Sequence, residues 1–162
     1  MIARFFNWLK SLFAKKPVLK LVPDIPEADK PTWLKIAEKE LGQKEYIPGD
    51  KPRIIEYHST TWLDAKEDEI PWCASFVSWA LEKAGIRSQR TPRAKDYLLF
   101  GSKLDIPKIG CIVVLTRSGG GHVGFYISST ATTVTLLGGN QSDAVTIASY
   151  SKANVIGYRW PK

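Results

Sequence analysis

The sequence predicts an α+β domain, with helices in its first part packed on an antiparallel sheet of about five to six strands in its second. Three observations carry this. Apolar residues recur at helical spacing as far as residue 100. From Gly110 the period changes to two. Short glycine or polar turns then separate the apolar runs, as in a meander of hairpins.

The chain opens with MIARFFNWLKSLFAKK. Ile2, Phe5, Phe6, Leu9, Leu12 and Phe13 form one helical face, with Arg4, Lys10, Lys15 and Lys16 largely off it. Lys10 interrupts the apolar run and no small-residue cleavage site follows, which argues against a secretory signal. The segment is also too short and too charged to span a bilayer. Residues 1–16 are therefore expected to form a basic amphipathic helix in a membrane interface, with Arg4, Phe5, Phe6, Trp8, Lys10 and Phe13 in contact. Packing on the domain itself or on a partner is the alternative. Pro17, Pro23, Pro26 and Pro31 predict an extended linker over 17–31, leaving 32–162 as the folded domain.

Within that domain, Thr32 is a candidate cap for a helix running through Trp33, Ile36, Ala37, Glu40 and Leu41 to Gly42. A second short helix is expected over 52–59 and a third over 72–84, stopped by Gly85. The inward face of the third is Cys73, Phe76, Val77, Ala80, Leu81 and Ala84. A weaker helical pattern covers 93–100. Strands are expected over 110–117, 122–129, 133–138, 144–149 and 155–160, with 118–121 as a hairpin turn.

The chain of 162 residues holds 23 basic and 16 acidic side chains, net +7. This balance favours a polyanionic partner: nucleic acid, an anionic membrane or an acidic wall polymer. Outside the first residues no basic run alternates with aromatics, so nucleic acid is set aside. Cys73 and Cys111 are the only cysteines and make no disulfide framework. With His58 and His122 they lack the close pairs of a zinc site, so no metal or organic cofactor is expected.

The chemistry centres on IPWCASFVSWALEKAG, residues 70–85. A thiol at the first turn of a helix meets unpaired N–H groups and the positive dipole end, which favour a thiolate. His122 opens a strand just after the glycine turn, and Asn140 ends the next strand in LLGGNQ. If those strands pair, His122 and Asn140 share one end of the sheet. Alternation puts His122, Gly124 and Tyr126 on one face, against which the helix is expected to bring Cys73. A base beside a thiol, with a third group orienting the base, is the arrangement that nucleophilic catalysis requires. Taken singly, each residue has a plainer alternative: a small buried apolar side chain, an edge histidine, a turn asparagine.

PWCASFVSWALEKAG, GGGHVGFYI, LLGGNQSDAV and the closing GYRWP resemble the CHAP-type cysteine peptidase/amidase family, within the papain-like superfamily that includes the NlpC-type wall peptidases. The resemblance extends over about 32–162 and is nearest to small phage- and bacterium-encoded members. It implies a papain-like fold and hydrolysis of an amide in peptidoglycan, by an N-acetylmuramoyl-L-alanine amidase or an endopeptidase. It makes Cys73 the nucleophile, His122 the general base and Asn140 the orienting residue. Two departures stand out: many relatives carry an acid where this chain has Gly138, and many read Gly-Asp where it has Gly110-Cys111. Trp72, Tyr57, His58 and Gln141 are expected to line the substrate groove, with His58 as the rival base. Glu69 is expected to be a solvated acid in the Glu67-Asp68-Glu69 run.

The implied protein is a monomeric endolysin held in the host bacterial cytoplasm, acting on the wall after release. Its basic tail would meet anionic membrane or lipopolysaccharide. The competing readings are a bacterial toxin or effector with the same chemistry, and a catalytically idle wall-binding or membrane-disrupting module.

Overall fold

The computed structural model describes residues 24–162. The expected amphipathic helix over 1–16, with its membrane-contact residues, and the first part of the expected linker, 17–23, lie outside them. Three α-helices come first: α1 (Thr32–Glu38), α2 (Pro52–His58) and α3 (Cys73–Lys83). A 3-10 helix over Ala94–Leu99 leads into six strands: β1 (Ser102–Leu104), β2 (Ile112–Arg117), β3 (Gly120–Ser129), β4 (Thr133–Gly138), β5 (Thr146–Ser151) and β6 (Val155–Trp160). They form one sheet in the order β1-β6-β2-β3-β4-β5, antiparallel throughout.

Helix α3 is the pivot of the fold. Nine of its eleven residues are buried, including Ser75, Ser78 and Trp79 as well as Cys73, Phe76, Val77, Ala80 and Leu81 of the expected apolar face, whereas Ala84 is the half-buried C-cap. Such all-round burial follows from its position between the sheet and the other helices. Phe76 meets Phe125 of β3 with ring centroids 6.5 Å apart. On the other side Tyr57 of α2 touches the rings of Trp72, Phe76 and Trp79. Ser75 and Ser78 are tolerated because each has a partner: Ser75 Oγ lies 3.0 Å from His58 Nδ1, and Ser78 Oγ donates to Thr60 O at 2.9 Å.

The sheet separates two apolar clusters. Val123, Phe125 and Ile127 belong to the cluster containing α3, whereas Cys111, Val113, Leu115, Val134 and Leu136 form the second with Tyr126 and Tyr150. The alternation expected along β3 is therefore present, but α3 packs on the Val123 face and not on the His122 face. Its apolar residues match that face, and a histidine face would leave them facing a polar ring.

Several element boundaries differ from expectation. The 93–100 pattern forms a 3-10 helix instead of an α-helix, and the fourth expected strand lies two residues later, as β5. Pro31 stands at the α1 N-cap, with Thr32 already inside the helix. The described end of the expected linker is fastened to the domain: Ile25 packs on the main cluster and Lys30 Nζ lies 3.0 Å from Glu38 Oε2.

Candidate active site

Cys73 is the first residue of α3. Trp72 precedes it as the N-cap, and no side chain caps the helix. The first backbone bond runs from Phe76 N to Trp72 O at 2.9 Å, so the amides of Cys73 and Ala74 have no partner within the helix. The thiol is only 4% exposed. Burial pushes its pKa up; backbone hydrogen bonds at Val123 and Ala74, the Cys73 amide itself and the charge of Arg117 act in the opposite direction. Val123 follows His122 directly, so the thiol reaches the β3 backbone one residue from His122 although α3 packs on the opposite face.

His122 is 1% exposed. Its Nε2 lies 3.0 Å from Gln141 Oε1, and its ring leans on Tyr150 with centroids 5.2 Å apart. The Gln141 amide is oriented by its own donor: Nε2 donates 2.7 Å to Thr146 O and 3.2 Å to Thr146 Oγ1. Oε1 is thus the acceptor, and it also takes the Tyr150 hydroxyl at 2.9 Å. The proton between ring and amide must then sit on His122 Nε2. Nδ1 is left as a bare lone pair with no hydrogen-bond partner among the described residues. Burial pushes the imidazole down to about 4, with the Gln141 bond opposing this and the Arg117 charge adding to it.

Two glycines make the arrangement possible. A Cβ on Gly138 would lie 2.9 Å from Gln141 Oε1, and one on Gly139 would lie 2.6 Å from the Trp72 ring and 2.7 Å from Phe76 Cβ. A side chain at position 138 would crowd the amide that orients His122 here. Beyond Gly139 the chain turns through Asn140 at φ 53°. It is then clamped to residues 42–45: Gly42 N donates to Val145 O at 3.0 Å and Val145 N to Gln43 O at 2.8 Å.

The partner of His122 is therefore Gln141, one residue beyond the expected Asn140. The positive φ at Asn140 reverses the chain and brings the following side chain back beneath the ring. Nor do the expected groove residues line the opening. Tyr57, His58 and Trp72 are fully buried and Gln141 is 4% exposed. Tyr57 donates to Glu40, Trp72 Nε1 donates 2.7 Å to Glu45 Oε1, and burial lowers the pKa of His58 beside Ser75. These side chains hold the helices together. Glu69 is exposed as expected, but its neighbour Asp68 is fully buried, accepting from Tyr46 N at 3.0 Å and Lys51 N at 2.7 Å. Cys111 is buried in the second cluster, its thiol pushed up to about 11.

The opening in front of Cys73 is a groove of about 670 Å³. Pro71 and Cys73 border it, together with the Pro92–Asp96 segment and the Arg117–Gly121 hairpin. Sequence reasoning missed these walls. Nothing local in the sequence signals that Arg93 and Lys95, in 92–96, face the hairpin.

Residues 65–140 match the CHAP domain family. The matched span takes in Cys73, His122 and Asn140 and ends one residue before Gln141. The peptidoglycan hydrolase RipB from Mycobacterium tuberculosis is similar in fold, with a TM-score of 0.50 at 16% identity over 94% of this chain and 75% of that one. That likeness agrees with the papain-like α+β architecture implied by the sequence blocks. A lipoprotein-like protein of the NLP/P60 family from Staphylococcus aureus aligns over 98% of this chain with a TM-score of 0.48 at 16% identity. The chain spans 49% of that protein's length. No protein of curated function matches the sequence.

Proposed function

We propose that this protein is a peptidoglycan hydrolase that cleaves an amide bond by thiol catalysis. The observation that carries the reading is the Thr146–Gln141–His122 chain. It fixes the proton on Nε2 and leaves Nδ1 as the open base, at the end of β3 where Cys73 enters. The CHAP match and the wall-hydrolase role of RipB supply the substrate class.

In this reading the resting pair is uncharged, a thiol beside a neutral imidazole. As an amide carbonyl enters the groove, Nδ1 takes the Cys73 proton and the sulfur attacks carbon. The N–H groups at the start of α3 stabilise the oxyanion. The carbon–nitrogen bond breaks, with the imidazolium giving its proton to the leaving amine. Water, deprotonated by the same ring, then cleaves the thioester and restores the thiol. Gln141 and Tyr150 hold the ring in place through both proton transfers.

The test is digestion of purified sacculi by wild type and Cys73→Ala, with soluble products identified by mass spectrometry. Stem peptides released from intact glycan indicate an amidase; cut cross-links or shortened stems indicate an endopeptidase. Either product must vanish in the variant. Products unchanged by Cys73→Ala contradict the mechanism.

The basic amphipathic sequence of residues 1–16 supports a second element, contact with anionic membrane or lipopolysaccharide before or during lysis in an endolysin-type role. Removing residues 1–16 is expected to abolish leakage from anionic liposomes while sparing sacculus digestion. Equal leakage with and without the segment contradicts it.

A further inference from the structure

The groove in front of Cys73 is strongly cationic. Arg93 and Lys95 stand on one wall and Arg117 on the other, all exposed. Among the described residues none of the three forms a salt bridge. The single acid bordering the groove, Asp96, is engaged with the Thr91 hydroxyl at 2.6 Å. Arg93 lies over the exposed Trp62 ring, 5.6 Å from its centroid, a neutral partner that leaves its net positive charge in place. Arg117 is close enough for its charge to act on Cys73, His122 and Tyr150. Three uncompensated cations around a nucleophile attract and orient negative charge next to the reacting bond. Guanidinium groups pair with carboxylates in a fixed fork, which gives direction as well as attraction.

Building on the hydrolase reading, we propose that this groove selects an acidic peptide. It takes a scissile amide flanked by a free carboxylate and rejects the same peptide once that carboxylate is amidated. A primary amide is nearly the size of a carboxylate, so shape alone would not separate them. An amide forfeits the ion pair and offers donors to a wall made of donors. Arg117 and Lys95, from opposite walls, are the discriminating pair, with Arg93 adding to the field.

The test uses the full-length protein and soluble muropeptides released from sacculi by a muramidase, either unmodified or with their carboxylates amidated by carbodiimide and ammonium chloride. Wild type is expected to prefer the unmodified fragments by about ten- to a hundredfold in kcat/KM, mainly through KM, with the preference shrinking at high salt. Lys95→Gln with Arg117→Gln is expected to remove most of the preference, and Arg117→Lys to retain part of it. Equal turnover of the two forms by wild type overturns the selection while leaving the hydrolase reading intact. So does a preference untouched by the double variant. Turnover of neither form overturns both.

Discussion

Gln141 accepts from His122 Nε2 at 3.0 Å with its oxygen and donates to Thr146 O at 2.7 Å with its nitrogen. One side chain therefore sets both the orientation and the tautomer of the ring. Gln141→Ala removes the acceptor and lets the ring rotate. The expected outcome is a fall in kcat of about a hundredfold with a much smaller change in KM. Tyr150→Phe removes one hydroxyl from the same oxygen and is expected to cost less. Steady-state kinetics on soluble wall fragments checks both, and an unchanged kcat in Gln141→Ala would show that the ring is held by other means.

Gly139 lies against the start of α3. A methyl group there would meet the Trp72 ring at 2.6 Å and Phe76 Cβ at 2.7 Å. Both neighbours are fully buried and have little room to move. Gly139→Ala is expected to cost about 1–3 kcal/mol by overpacking and to displace Cys73 relative to β3. Denaturant unfolding reads the first effect and turnover reads the second.

Asp68 is the buried anchor of the segment before α2. Its Oδ2 accepts the amides of Tyr46 and Lys51, and Lys51 is the α2 N-cap. Asp68→Ala leaves both donors without this acceptor and is expected to destabilise by about 2–3 kcal/mol, with Asp68→Asn recovering part of that. A change within 0.5 kcal/mol, the ordinary range for surface positions, would mean that water replaces the carboxylate.

The histidines set an acid-side dependence. Burial lowers His58, and lowers His122 from 6.5 to about 4. As pH falls below 6.5 the unfolded chain binds protons at these rings that the folded chain does not. The folded state is then disfavoured, and its stability rises with pH through this window. Between pH 6.5 and about 5, above most carboxylate titration, a loss of about 2 kcal/mol is expected from urea midpoints. A flat profile would show that the rings protonate in the folded state.

Much of this architecture is legible in the sequence. The β4 and β6 boundaries coincide with the period-two runs over 133–138 and 155–160, because each has turn residues at its ends. β1 was not legible: it has three residues, no period, and depends on pairing with β6 from the far end of the chain. At the site, Cys73 and His122 stand out because helix start and glycine hairpin are local features. The orienting residue does not, because Asn140 and Gln141 are adjacent amides and only the turn at Asn140 decides which lies beneath the ring. Tyr57, His58 and Trp72 have the chemistry of groove residues, yet all three are buried: Tyr57 bonds Glu40, Trp72 Nε1 bonds Glu45 and His58 Nδ1 faces Ser75. Asp68 lies in the acidic run beside Glu69, and only the backbone amides of Tyr46 and Lys51, distant in sequence, explain its burial.

The central claim is that Cys73 is the nucleophile, and alkylation by iodoacetamide tests it most directly. Cys73 borders the groove while Cys111 is fully buried. The account predicts that activity is lost in step with modification of Cys73, that Cys111 stays unmodified in peptide maps, and that Cys111→Ser behaves as wild type. Full activity after complete alkylation of Cys73, or a loss that follows Cys111, would contradict it.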